Sequence, residues 1–136
     1  MTAKFKVGKM SKEDYEKFLK KADEFCEMMR QSLNKKKWNA AGLNAIHTGI
    51  SANDAVLTFY FGLRSISPKH DDAVKLLISM MNRKDTETKA KHLRHLISMK
   101  NIVEYDGRLL SKREAESLAK NAERFLEWVK SILPYV

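Results

Sequence analysis

From Trp38 to Leu63 the chain stays apolar or small, with only scattered polar residues such as His47, Asn53 and Asp54. Projected at 100° per residue, Trp38, Ala41, Ala45, Gly49, Ile50, Asn53, Val56, Leu57 and Tyr60 form one broad face, which Ala52, Ala55 and Phe59 widen. A helix apolar over so much of its circumference must be contacted by neighbours on most sides. The run therefore predicts a central helix, and the rest of the chain has to supply its packing partners.

Those partners are legible as further helices. Ser11 followed by Asp14 resembles a capping box, and Tyr15, Phe18, Leu19, Ala22, Phe25, Met29 and Leu33 recur at three- and four-residue steps, giving a first helix over about residues 12–33. Ser67 as N-cap with Pro68 at N1 predicts a third helix to about Asn82, with Asp71 and Asp72 in its first turn. Thr86 and Glu87 begin a fourth, ending near Lys100 with Ala90, Leu93, Leu96 and Ile97 inward. Ile102, Val103 and Tyr105, with the Asp106-Gly107 pair, predict a small hairpin or ordered loop over residues 101–110. Ser111 and Glu114 form another capping box before a last helix that Pro134 halts. With 5 Gly and 2 Pro in 136 residues there is little material for a sandwich or barrel. The expected fold is all-α, one domain over residues 1–136: an up-and-down bundle of four main helices plus one shorter helix.

Twenty-six Lys and Arg against 17 Asp and Glu leave a formal charge of +9, which attracts polyanions through phosphate contacts and counterion release, or simply keeps a bundle soluble. Cys26 is the single cysteine, and the amino terminus lacks an apolar h-region, so the expectation is a cytoplasmic protein without disulfides. No run reaches the ~18 apolar residues of a membrane span.

The segment Gly62-Leu63-Arg64-Ser65-Ile66-Ser67-Pro68-Lys69-His70 carries the most chemistry. Arg64 is expected at the C-terminal end of the central helix and His70 near N3 of the next, so both side chains should lie at one end of the bundle and can converge on one anion. Free N–H groups at that helix start would assist. Arginine offers a forked, permanently charged donor set for a phosphoryl oxygen, and histidine exchanges a proton near neutral pH. If a ribose 2'-hydroxyl is the nucleophile, no metal is required. The alternative leaves Arg64 on helix-end carbonyls and the Asp71/Asp72 pair, with His70 an exposed first-turn residue.

The stretch Trp38 to Leu77, with Asn44-Ala45-Ile46-His47 through Ser51-Ala52-Asn53-Asp54-Ala55 and the ending Glu123-Arg124-Phe125-Leu126-Glu127-Trp128-Val129, resembles the HEPN domain (higher eukaryotes and prokaryotes nucleotide-binding), in a prokaryotic type. Its motif, an Arg followed after four to six residues by a His, maps onto Arg64 and His70 with five residues between. The resemblance implies a metal-independent endoribonuclease, often a toxin, without cofactor, whose homodimer brings two motifs to one RNA cleft. Arg64 would hold the scissile phosphate and His70 would act as general acid or base. Ser65 stands where nuclease members commonly carry Asn, Asp or His, and with Lys69 and Asn53 it is expected to contact nucleic acid. The family also implies an alternative, a noncatalytic interaction module paired with a nucleotidyltransferase-type antitoxin or another protein.

Asn53 shares a face with Trp38, Val56 and Tyr60 and sits three turns before Arg64, so it either lines the same groove or makes a structural hydrogen bond. Asp54 could orient a histidine or pair with a lysine. His92 and His95 lie one turn apart but off the inward side, so they are expected to be solvated rather than metal ligands. Cys26 and the methionines read as packing or surface residues. Basic groups at Lys4, Lys6, Lys9 and Lys12, at Lys35 to Lys37, and around Arg83 to Arg94 are each either a solvated face or an anion contact. Trp38 reads as a core anchor or a stacking platform for a base.

Overall fold

The structure, a computed structural model, describes residues 5–134, so Lys4 lies outside the described residues. In chain order the elements are β1 (Val7–Lys9), a 3-10 turn (Lys12–Asp14), α1 (Tyr15–Asn34), α2 (Trp38–Phe61), β2 (Leu63–Ser65), α3 (Asp71–Met80), α4 (Thr86–Ser98), α5 (Lys100–Tyr105) and α6 (Lys112–Ile132). The fold is the expected all-α bundle. Among the described residues no helix is long and apolar enough to cross a membrane.

α2 is the centre: α1 packs along it on one side and α6 on another, while α4 lies against α6 and α3 against α4. Ala41, Ala45, Ile46, Ala52, Ala55, Val56 and Leu57 are all fully buried. Gly49 allows the close approach of α4, since a Cβ there would lie 2.5 Å from Leu96 Cδ1. The capping box predicted at Ser111 is present: Ser111 Oγ accepts from Glu114 N–H at 3.1 Å and Glu114 Oε1 accepts from Ser111 N–H at 3.0 Å. Cys26 and Met29 are core residues, and Trp38 packs partly buried against the core.

Four local expectations are corrected. Ser11 makes no side-chain cap; a 3-10 turn intervenes and α1 starts at Tyr15. Of the hairpin or ordered loop expected over residues 101–110, the first half is instead the short helix α5, and the second half is a loop. Two forces favour this outcome. Ile102 and Val103 pack on the core, and Leu110 is drawn away from any return strand, buried at 4% exposure with its N–H on Asn39 Oδ1 at 2.8 Å. Asp106-Gly107 becomes a bend in which Asp106 Oδ1 accepts from Arg108 N–H.

The remaining two corrections concern the segment of interest. α2 ends at Phe61, and Gly62 takes the left-handed conformation at φ 65° that a helix C-cap favours. Arg64 is therefore not at a helix end but in the middle of β2, opposite Gly8 in a two-stranded antiparallel sheet with β1. Nor does Ser67 cap a helix at Pro68: α3 starts at Asp71, and His70 stands immediately before it rather than at N3.

Candidate functional site

Residues from five elements meet around one cleft of about 400 Å³. α2 supplies His47, Ile50, Asn53 and Asp54; β2 and the following turn supply Arg64, Ser65, Ile66, Ser67 and His70; α3, α4 and α5 add Ala73, Leu93, Ile97 and Lys100. Arg64 and His70, singled out from opposite ends of a short connection, thus reach the same cleft, together with Asn53 and Ser65. Lys69 does not. It lies on a neighbouring groove with Arg94, Asn101 and Tyr105, and His70 and Lys100 border both depressions.

Arg64 approaches the cleft because β2 is held by β1, with Met10 N–H on Gly62 carbonyl at 2.9 Å and Ile66 N–H on Lys6 carbonyl at 3.0 Å flanking the paired strands. Its guanidinium carbon stands 5.5 Å from the centre of the Phe18 ring, while its Nε is buried without a hydrogen-bond partner. Asp71 and Asp72, offered as alternative partners of Arg64, are engaged elsewhere. Asp71 pairs with Lys75 and Arg94, and Asp72 accepts from Ser67 Oγ at 2.7 Å. Ser67 Oγ in turn accepts from Lys69 N–H at 3.1 Å. The start of α3 is therefore occupied by its own chain rather than left open for an anion.

Asn53 is 2% exposed; its Nδ2 donates to the Ala73 carbonyl at 3.3 Å, tying α2 to α3, and its Oδ1 has no partner. Both readings of this residue are thus realised in part, a structural bond on one side of the amide and an unmet acceptor on the other. Burial pushes the Asp54 carboxyl up to about 7, against the lowering pull of Arg64 and Lys21. Crowding around His70 lowers its pKa, assisted by the Lys100 cation and opposed by Glu104, which leaves the ring neutral and able to accept a proton at pH 7.

Three groups escaped the sequence reading. His47 Nε2 faces Glu104 Oε1 at 3.5 Å, and Glu104 Oε2 accepts from Lys100 Nζ at 2.8 Å. Burial works against the Glu104 carboxylate, but the hydrogen bond and charge of Lys100, with His47 adding, hold its pKa below the ordinary value. The seven-residue step from His47 to Asp54 aligns them on one face of α2, a signal available in the sequence. Glu104 was hidden by the hairpin or loop expectation, and Lys100 by its place at the expected end of the fourth helix. Of the other candidates, His92 pairs with Asn121 Oδ1 at 2.8 Å and His95 lies near Ser117 Oγ. Among the described residues no group of three or more His, Cys, Asp or Glu side chains is arranged to hold a metal ion.

No curated protein matches the chain. Residues 15–132, which run from the first residue of α1 to the last of α6 and include every side chain of the cleft, match the HEPN domain, and the chain belongs to that family.

Proposed function

We propose that the cleft takes a phosphodiester of RNA and cleaves it without a metal. Arg64 holds a non-bridging phosphoryl oxygen, and His70 moves the proton of the ribose 2'-hydroxyl. One observation carries this reading: a guanidinium and a histidine held below its usual pKa line the same cleft. His70 takes the 2'-hydroxyl proton, the 2'-oxygen bonds to phosphorus, and the bond from phosphorus to the 5'-oxygen breaks. The departing 5'-oxygen takes up a proton from a donor in the cleft or from water, His70 releases its own to water, and the products are a 2',3'-cyclic phosphate and a 5'-hydroxyl. Ser65 and Asn53 offer hydrogen-bonding groups to the same nucleotide, and Lys69 meets the strand in the adjoining groove. In this reading the chain acts in the cytoplasm as a toxin-like homodimer joined through the end that bears the cleft.

The test is incubation of purified protein with RNA in EDTA beside Arg64→Ala and His70→Ala. Cleavage by the parent chain and its loss in both variants is expected; an intact RNA after prolonged incubation with the parent chain refutes the nuclease.

A second reading is favoured by exposed apolar side chains next to the site. Tyr105 is 76% and Leu109 74% exposed, and Tyr105 borders the groove that contains Lys69. In it the domain is a noncatalytic module that pairs with a nucleotidyltransferase-type antitoxin or another protein. Retained RNA or nucleotide binding without cleavage, with partner binding lost on Tyr105→Ser, supports this reading over the first.

A further inference from the structure

Cleavage of RNA by its own 2'-hydroxyl needs two proton movements, one off the nucleophile and one onto the departing 5'-oxygen. Neutral His70 serves the first. The cleft contains a second histidine: His47, contributed by α2 in the midst of the apolar run, lines the same space as Arg64 and His70. Its surroundings differ from those of His70. The Phe25 ring lies 5.5 Å away, centre to centre, and the Glu104 carboxylate stands at 3.5 Å from Nε2, a neighbour that pairs with the ring once it carries its second proton. Around His70 burial disfavours the protonated ring, the Lys100 cation adds to that, and Glu104 partly offsets it. A single ion pair, Lys100 with Glu104, thus stands beside both histidines. The His47 side chain also remains 38% exposed, so it is open to exchange with a ligand rather than sealed as a packing residue.

We propose that His47 is the second proton carrier of the cleft, donating to the departing 5'-oxygen while His70 acts as base, so that one chain holds both members of the acid–base pair. This rests on the RNA-cleaving reading above. In the step, the bond from the 2'-oxygen to phosphorus forms and the bond from phosphorus to the 5'-oxygen breaks. One proton passes from the 2'-hydroxyl to His70 and another from His47 to the 5'-oxygen. Both rings return to their starting states by exchange with water.

A leaving group that needs no proton isolates the role of His47. Cleavage in EDTA is measured for the parent chain, His47→Gln and His70→Gln, on ordinary RNA and on RNA whose scissile 5'-oxygen is replaced by sulfur, which departs as a thiolate. His47→Gln should slow cleavage of ordinary RNA by ~10²–10⁴-fold and come within about tenfold of the parent chain on the sulfur substrate. His70→Gln should be slow on both. Full-speed cleavage of ordinary RNA by His47→Gln overturns the proposal. So does an equal deficit on both substrates, which marks a structural role, or rescue of His70→Gln by sulfur, which reverses the assignment. An equal mixture of the two variant chains should recover no activity, and recovery overturns the single-chain arrangement. A parent chain inactive on both substrates removes the nuclease reading and this proposal with it, whereas a parent chain that is active beside an unimpaired His47→Gln removes this proposal alone.

Discussion

Burial raises Asp54 to about 7, so the folded chain binds a proton there that the unfolded chain, at about 3.8, releases. Between those values the native state holds more protons than the unfolded state, and stability falls as pH rises from about 4 towards 7. Above that range the full cost of an ionised, poorly solvated carboxylate is present. Asp54→Asn should therefore leave stability near pH 4 unchanged and raise it at pH 8, by roughly 1–4 kcal/mol. Urea midpoints across pH check this, and a parallel pH dependence in parent and variant would contradict it. Arg64 feels the same ionisation. Its guanidinium lines the cleft as a fixed cation, and Arg64→Ala should weaken RNA binding by roughly 1.5–3 kcal/mol, about ten- to a hundredfold, in an equilibrium titration with cleavage-dead His70→Ala as the background.

Gly62 lets α2 stop and β2 begin within one residue. At φ 65° an alanine is strained, so Gly62→Ala should cost ~1–2 kcal/mol in thermal or urea unfolding and also lower RNA affinity, because Arg64 lies two residues on. Gly49→Ala makes a useful contrast. It crowds Leu96 at the contact of α2 with α4 and should destabilise by ~1–3 kcal/mol while leaving the Arg64 strand in register. Helices whose apolar residues recur every three or four positions, α1, α2, α4 and α6, were legible in the sequence, because that period is a local property of the chain. The sheet was not. Val7 meets Ser65 across nearly sixty residues, and three-residue strands have too few positions to show alternation. The hairpin error has the same origin: Ile102 and Val103 are strand formers locally, but α5 satisfies them against the core. At the site, Arg64 and His70 were found because a short connection joins them. The Glu104 carboxylate on His47 was not, since 57 positions separate them and only the packing of α5 over α2 brings them together.

Across the whole molecule the excess of nine positive charges sets the strength and salt dependence of any RNA complex. For a single strand each neutralised phosphate contributes ~0.7 to the slope of log K against log salt. Removing Arg64 should reduce that slope by about one phosphate's share, whereas a substitution at Lys35, Lys36 or Lys37, which follow α1 and do not border the cleft, should leave it unchanged if RNA is held only at the cleft. Filter binding over a salt series distinguishes the two. The pairing of β1 with β2 has a practical side. Residues 6–10 brace the backbone on either side of Arg64 from outside the segment that matches the HEPN domain, so trimming them by a protease, or fusing a bulky tag close to Val7, would loosen the strand that presents Arg64 to the cleft while every helix remained intact.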